Sequence, residues 1–113
     1  MLLCPETFDK SVNEIVHPKI DLLGFLDQDD TVSSVTSVSQ DSVKPSTADA
    51  LSPTGGQVNS VVLHINGRTV EPGEGVQFIV PAGGTLGAVY VFSVIYVDGG
   101  GQTREIGVRV RIV

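Results

Sequence analysis

VYVFSVIYVDGGG, residues 89–101, reads as a strand that ends in a glycine turn, and REIGVRVRI at 104–112 reads as the strand that returns from it. In both runs apolar residues recur at every second position, the period at which strand side chains share a face. The first run is apolar on both faces, whereas the second carries Glu105, Arg109 and Arg111 on one face. This pattern predicts a β-hairpin whose first strand is central and whose second strand lies nearer an edge.

Further short strands separated by turn residues precede this hairpin. Apolar runs predict strands at 60–65 and 76–80, and Asn66-Gly67 is typical of a two-residue hairpin turn. At 31–39 three valines recur at every third position, from which we infer a bulge near Ser33-Ser34. Seven or so strands at spacings of roughly ten residues predict an all-β protein, an immunoglobulin-like β-sandwich.

The sequence predicts a single domain, 1–113, with two less regular parts. Residues 1–14 are expected to be an N-terminal extension, and the Ser-, Pro-, Thr- and Gly-rich stretch 40–59 a polar loop or a partner-binding arm. Pro18 confines its strand to a sheet edge or a bend. The residues after Ile20 predict a short helical plug near the N-terminus. The expected core positions are Ile20, Leu22, Phe25, Leu63, Ile65, Phe78, Val91, Ile95 and Val108.

Composition narrows the functional classes. The net charge is −6, which argues against nucleic acid as a partner because a phosphate backbone requires a basic surface. Cys4 is the single cysteine, so an internal disulfide is excluded and synthesis in a reducing compartment, the cytosol, is expected. No apolar stretch reaches the length of a membrane span, and no membrane partner is expected.

Residues that could carry chemistry are scattered. His17 and His64 lack neighbouring ligands at metal-binding spacing, and the aspartates of 27–30 lack the glycine and glutamate of a calcium loop. The glutamates of 71–74 lie on a tight turn without another acid–base group, and Cys4 has no nearby histidine. We therefore expect no enzymatic activity, no metal and no cofactor.

Arg104, Arg109 and Arg111 are the candidate partner-binding residues, because they are concentrated on the terminal hairpin. Two interpretations stay open. They form a solvated strand face, or they dock the protein on an acidic partner surface.

Several motifs of this sequence resemble those of small proteins encoded in the structural gene clusters of tailed bacteriophages. The resemblance covers nearly the whole chain except 40–59, and it departs from the pattern at His17-Pro18-Lys19. The residues that carry it are Ile15-Val16, Ile20-Asp21-Leu22, Phe25-Leu26, Asp30-Thr31-Val32-Ser33-Ser34, Gly84-Thr85-Leu86-Gly87, Tyr90-Val91-Phe92 and Gly101-Gln102-Thr103-Arg104.

This resemblance implies an immunoglobulin-like virion structural protein. The function expected from it is capsid cement or decoration on the capsid exterior, with the major capsid protein or another virion protein as partner and a homo-oligomer on the particle. Two alternatives stay open: a head–tail connector or tail component, and a generic adhesive or carbohydrate-binding module. Absence of tryptophan argues against the carbohydrate module, since aromatic rings stack on sugars.

Overall fold

The computed structural model describes residues 1–27 and 29–113, and its regular structure consists of strands and one short 3-10 turn. The turn spans Leu23–Phe25, where a helical plug is predicted, and none of its residues is buried, so the plug is not confirmed. The strands are β1 (Leu2–Lys10), β2 (Lys19–Asp21), β3 (Val32–Lys44), β4 (Thr54–Val58), β5 (Leu63–Ile65), β6 (Arg68–Val70), β7 (Gly75–Ile79), β8 (Val89–Asp98) and β9 (Thr103–Ile112).

The strands form three sheets. One sheet has four strands in the order β1-β9-β8-β3, a second has three in the order β2-β7-β4, and β5 pairs with β6 as a separate hairpin. Neighbouring strands are antiparallel except β1, which runs parallel to β9. The protein is thus all-β with several sheets, an arrangement compatible with a β-sandwich.

One apolar cluster joins the four-stranded and the three-stranded sheets. Phe78 of β7 contacts Phe92 of β8 edge to face, with ring centroids 5.8 Å apart. Phe92 also stacks on Tyr90 at 6.0 Å, and all three rings are almost completely buried. Aromatic side chains bury large areas, so these rings contribute strongly to the contact between the sheets.

The face of β8 that packs on this cluster is the opposite of the one we predicted. Its buried residues are Tyr90, Phe92, Val94 and Tyr96, whereas Val91 and Ile95, expected in the core, lie half-buried on the other face. Both faces are apolar, and the bulkier aromatic face is the one that fills the interior. Elsewhere the expected core is confirmed for Ile20, Leu22, Ile65, Phe78 and Val108, whereas Phe25 and Leu63 are half-buried.

The expectation that β9 lies nearer an edge than β8 is also wrong, because β1 covers β9 and both strands are interior in the order β1-β9-β8-β3. Within the predicted N-terminal extension, residues 2–10 form a strand that pairs with β9 from Leu2↔Ile106 to Lys10↔Ile112. Their register shifts between Leu3 and Thr7, which interrupts the alternation of β1. A parallel pairing between the two ends of a chain leaves no local sequence signal, and the shift removes the periodicity that would have indicated a strand.

The three-residue spacing of valines in β3 is explained by repeated bulges. Val32, Val35 and Val38 pair with Asp98, Tyr96 and Val94, so three residues of β3 match two of β8 at each step. The first register shift lies between Val32 and Ser34, which confirms the predicted bulge. Each extra residue returns a valine to the inner face and turns serines outward.

The stretch 40–59 is more regular than the predicted loop. Its first part, through Lys44, continues β3, and Thr54–Val58 is β4. Between these strands Leu51 is buried, and its backbone N–H donates to Oε1 of Gln40 at 2.8 Å. The prediction of a loop relied on polar composition, but the polar residues at the end of β3 belong to a strand whose outer side chains are exposed to solvent.

The turns follow the sequence closely. Asn66 and Gly67 connect β5 to β6 with φ values of 51° and 76°, as a two-residue turn with left-handed central residues requires. β2 begins immediately after Pro18 and lies at an edge of its sheet, which confirms the edge prediction. The turn between β8 and β9 occupies the predicted glycines.

Candidate functional site

Arg104 lies at the start of β9 and holds the β8–β9 turn. Its Nε donates to Oδ2 of the buried Asp98 at 2.7 Å, and its Nη2 to Oε1 of Gln102 at 2.9 Å. Oδ1 of Asp98 accepts the backbone N–H groups of Gly100 and Gln102. The Arg104 guanidinium, followed by the Gln102 N–H, lowers the pKa of Asp98 below its usual value of 3.8. Arg104 therefore completes a turn.

Arg109 lies beside the register shift of β1. Its Nη2 donates to the carbonyl oxygen of Pro5 at 3.1 Å and, more weakly, to that of Cys4 at 3.5 Å. Among the residues that the structure describes, no carboxylate forms an ion pair with Arg109. Within this part of the chain its positive charge is therefore not paired with a carboxylate, although part of its hydrogen-bonding capacity is used by the shifted strand.

Arg111 forms a cross-strand pair with Asp9, its register partner on β1. Its Nε donates to Oδ1 at 3.1 Å and its Nη2 to Oδ2 at 3.2 Å. The two side chains are 54% and 51% exposed, so solvent screens the attraction and the pair contributes little stability.

The structure brings Arg109 and Arg111 together and separates them from Arg104. Arg109 and Arg111 are two residues apart and share the face of β9 that points away from the core. Arg104 has the parity of the inward residues and lies near the opposite end of β9. The three arginines therefore do not form one basic cluster.

The outward side of the four-stranded sheet, which we call the outer face, carries an apolar row along β8 and mainly charged residues along β9. The outward residues of β8 are Val89, Val91, Ser93, Ile95 and Val97, and those of β9 include Glu105, Gly107, Arg109 and Arg111. Side chains of Met1 and Leu3 lie over Gly107, because a Cβ there would stand 2.6 Å from Leu3 Cδ2 and 3.1 Å from Met1 Cε. Met1 and Leu3 themselves are 54% and 45% exposed.

Ser93 and Glu105 form the polar contact of the outer face. The Ser93 hydroxyl donates to Oε2 of Glu105 at 2.6 Å, across two paired strands. Glu105 is exposed, whereas Ser93 is only 4% exposed. This hydrogen bond fixes the glutamate carboxylate over the sheet.

Two buried polar side chains were missed by sequence reasoning. Lys10 is fully buried, and its Nζ donates to the carbonyl oxygens of Ser11, Val12 and Gly83. The Asn59 side-chain amide donates to the carbonyls of Val61 and Glu71, and its Oδ1 accepts from the N–H groups of Gly73 and Gly75. Both satisfy backbone groups of loops, a role that only the tertiary structure reveals.

The remaining candidates are isolated from one another. His17 and His64 are both exposed, and the described part of the chain contains no group of three metal-binding side chains. Cys4 is buried, which raises the pKa of its thiol. A groove of about 330 Å³ between β3 and the segment 50–53 is lined by Val38, Ser39, Gln40, Leu51 and Pro53, without a charged group. Nothing in these places assembles a nucleophile with a base.

Comparison with protein-family models gave no match for this chain, and comparison with curated proteins gave none either. Within the described residues, no helix has the length and apolar character needed to cross a membrane.

Proposed function

We propose that the protein is a non-enzymatic structural component of a bacteriophage virion, of the cement or decoration kind, with an immunoglobulin-like sandwich. The virion role rests on the sequence resemblance, and the structural observation that supports the sandwich is the strand order. The second, fourth and seventh strands share one sheet, while the third, eighth and ninth share the other. Greek-key sandwiches typically distribute the strands of the chain over two sheets in this way. The first strand lies beside the last in one of these sheets.

The distribution of side chains supports a binding role over catalysis or sugar recognition. Phe78, Tyr90, Phe92 and Tyr96 are buried, so these aromatic rings cannot stack on a carbohydrate. Apolar side chains outside the four-stranded sheet, Ile15, Val61, Val62 and Leu86, are instead exposed and available for a protein partner to cover. A cement protein acts in this way, by burying part of its surface against neighbouring capsid subunits.

The proposed partner is the major capsid protein, with the protein on the capsid exterior after synthesis in the host cytoplasm. The docking role of Arg104, Arg109 and Arg111 stays a prediction. The proposal does not depend on it, because each guanidinium already has an acceptor within the chain.

The test is the number of copies per particle. Purified virions of the phage that encodes the chain would be analysed by quantitative mass spectrometry against the major capsid protein. Cement predicts a copy number comparable with that of the major capsid protein, and release of the protein should lower the temperature at which the heads break. A few copies per particle would favour the connector or tail alternative, and absence from the virion would refute the proposal.

A further inference from the structure

We infer that the outer face of the four-stranded sheet pairs two copies of this chain face to face. The first observation is the composition of β8. An antiparallel sheet with one solvent-exposed face normally alternates apolar inward residues with polar outward ones. β8 does not alternate in this way, because its outward residues are Val89, Val91, Ser93, Ile95 and Val97. Apolar residues on an uncovered sheet face indicate a surface that another protein covers.

The second observation is that the charges at the two ends of this apolar row are opposite. Val91 pairs with Arg109 at one end, and Ile95 pairs with Glu105 at the other. Ser93 and Gly107 pair midway between them. The surface therefore has an apolar β8 residue on each side of its centre, and the β9 residues beside them carry opposite charges.

This pattern selects a second copy as the occupant. A two-fold axis that lies between the two faces and crosses the strands at Ser93 and Gly107 brings Val91 of one copy over Ile95 of the other. The same axis places Arg109 of each copy over Glu105 of the other copy, so two such contacts form. Such an isologous contact is self-complementary, as closed dimers require. Met1 and Leu3, which lie over Gly107, would meet their counterparts near the centre.

The expected dimer is weak. Four strands spaced about 4.8 Å apart and about nine residues long present roughly 500 Å² per copy. Stable interfaces bury about 800 Å² per partner, so association is expected at micromolar concentrations or above. This inference is independent of the virion role, since it concerns the isolated chain. Dimers could form whether or not the protein is found in particles.

Sedimentation equilibrium of the full chain tests the pairing over a wide range of protein concentration, at low and at high salt. We expect reversible dimers that weaken at high salt, because exposed ion pairs are screened. Val91→Thr together with Ile95→Thr keeps β-branched side chains on the strand but removes apolar contact, and it should weaken dimerisation at least about tenfold. Val61→Thr with Val62→Thr, exposed valines outside this face, serves as the matched control and should leave the dimer unchanged.

A charge-exchange experiment separates pairing from a folding defect. Arg109→Glu and Glu105→Arg should each be monomeric alone, because like charges would face each other across the axis. When mixed, these two variants should form heterodimers, since each Glu then meets an Arg. Lys19→Glu, on the other sheet, is the control for net charge.

Three results would overturn the inference. They are a wild-type chain that stays monomeric at low salt and high concentration, dimers that survive the Val91→Thr/Ile95→Thr change, and failure of the mixed Arg109→Glu and Glu105→Arg variants to associate when circular dichroism shows that both are folded.

Discussion

The two faces of β8 are similar in sequence and different in structure. On the inner face, Tyr90, Phe92 and Tyr96 are at most 2% exposed and belong to the apolar cluster that joins the two sheets. On the outer face, Val91 and Ile95 are only half-buried. The comparison teaches that apolar character identifies a strand without identifying its core face. The aromatic residues distinguish the faces, because all three lie inside, together with Val94, and none lies outside.

The largest effect that tests this comparison is truncation of one residue on each face. Phe92→Ala removes a ring that contacts both Phe78 and Tyr90, and we expect it to lower the free energy of unfolding by about 3–5 kcal/mol. Ile95→Ala should cost only about 1 kcal/mol, because the outer side chain leaves no internal cavity. Urea denaturation at a concentration where the protein is monomeric measures both, and equal losses would mean that the assignment of the faces is wrong.

Most of the strands could be predicted from the sequence, but the partners of several strands could not. The period of two in β8 and β9 is a local signal, and the three-residue spacing of Val32, Val35 and Val38 locates the bulges of β3 because each extra residue delays the next inward valine. The pairing of β1 with β9 has no local signal, since it joins the two ends of the chain.

The candidate site was less predictable for the same reason. Arg109 donates to the carbonyl oxygens of residues 4 and 5, more than a hundred positions away. Charge and spacing identify an arginine on a strand face, but its acceptor depends on which strand lies alongside. The apolar outer face was visible in the sequence as a strand with two apolar sides, and we wrongly took that face as the core.

An effect of intermediate size on the melting temperature is expected at the last residue of β8, where Asp98 is buried beside Arg104. The pKa of Asp98 is lowered below its unfolded value of 3.8, so its carboxylate stabilises the fold above that pH. This contribution is lost as the pH falls through the folded pKa. The melting temperature of the wild type should therefore drop between about pH 5 and about pH 2, an interval that extends on both sides of the ordinary value of 3.8.

The matched variants distinguish this inward carboxylate from an outward one. Asp98→Asn should be less stable than the wild type at neutral pH, and its melting temperature should depend less on acid. Glu105→Gln, on the outer face, should lower the melting temperature at neutral pH less than Asp98→Asn does, because Glu105 is exposed and has no guanidinium partner among the ion pairs of the described residues. Parallel acid profiles for the wild type and Asp98→Asn would show that the β8–β9 turn does not depend on this carboxylate.

The smallest effect concerns the centre of the outer face, at Gly107→Ala. A methyl group there would stand 2.6 Å from Leu3 Cδ2, so Leu3 and Met1 must move. Both atoms belong to the ends of flexible, partly exposed side chains, so we expect the free energy of unfolding to change by no more than about 1 kcal/mol. In methyl NMR spectra the Leu3 and Met1 resonances should shift, whereas those of Val94 and Ile106, on the inner face, should stay in place. Shifts at Val94 and Ile106 would mean that the added methyl disturbs the core, and the two faces of the sheet would then not be independent.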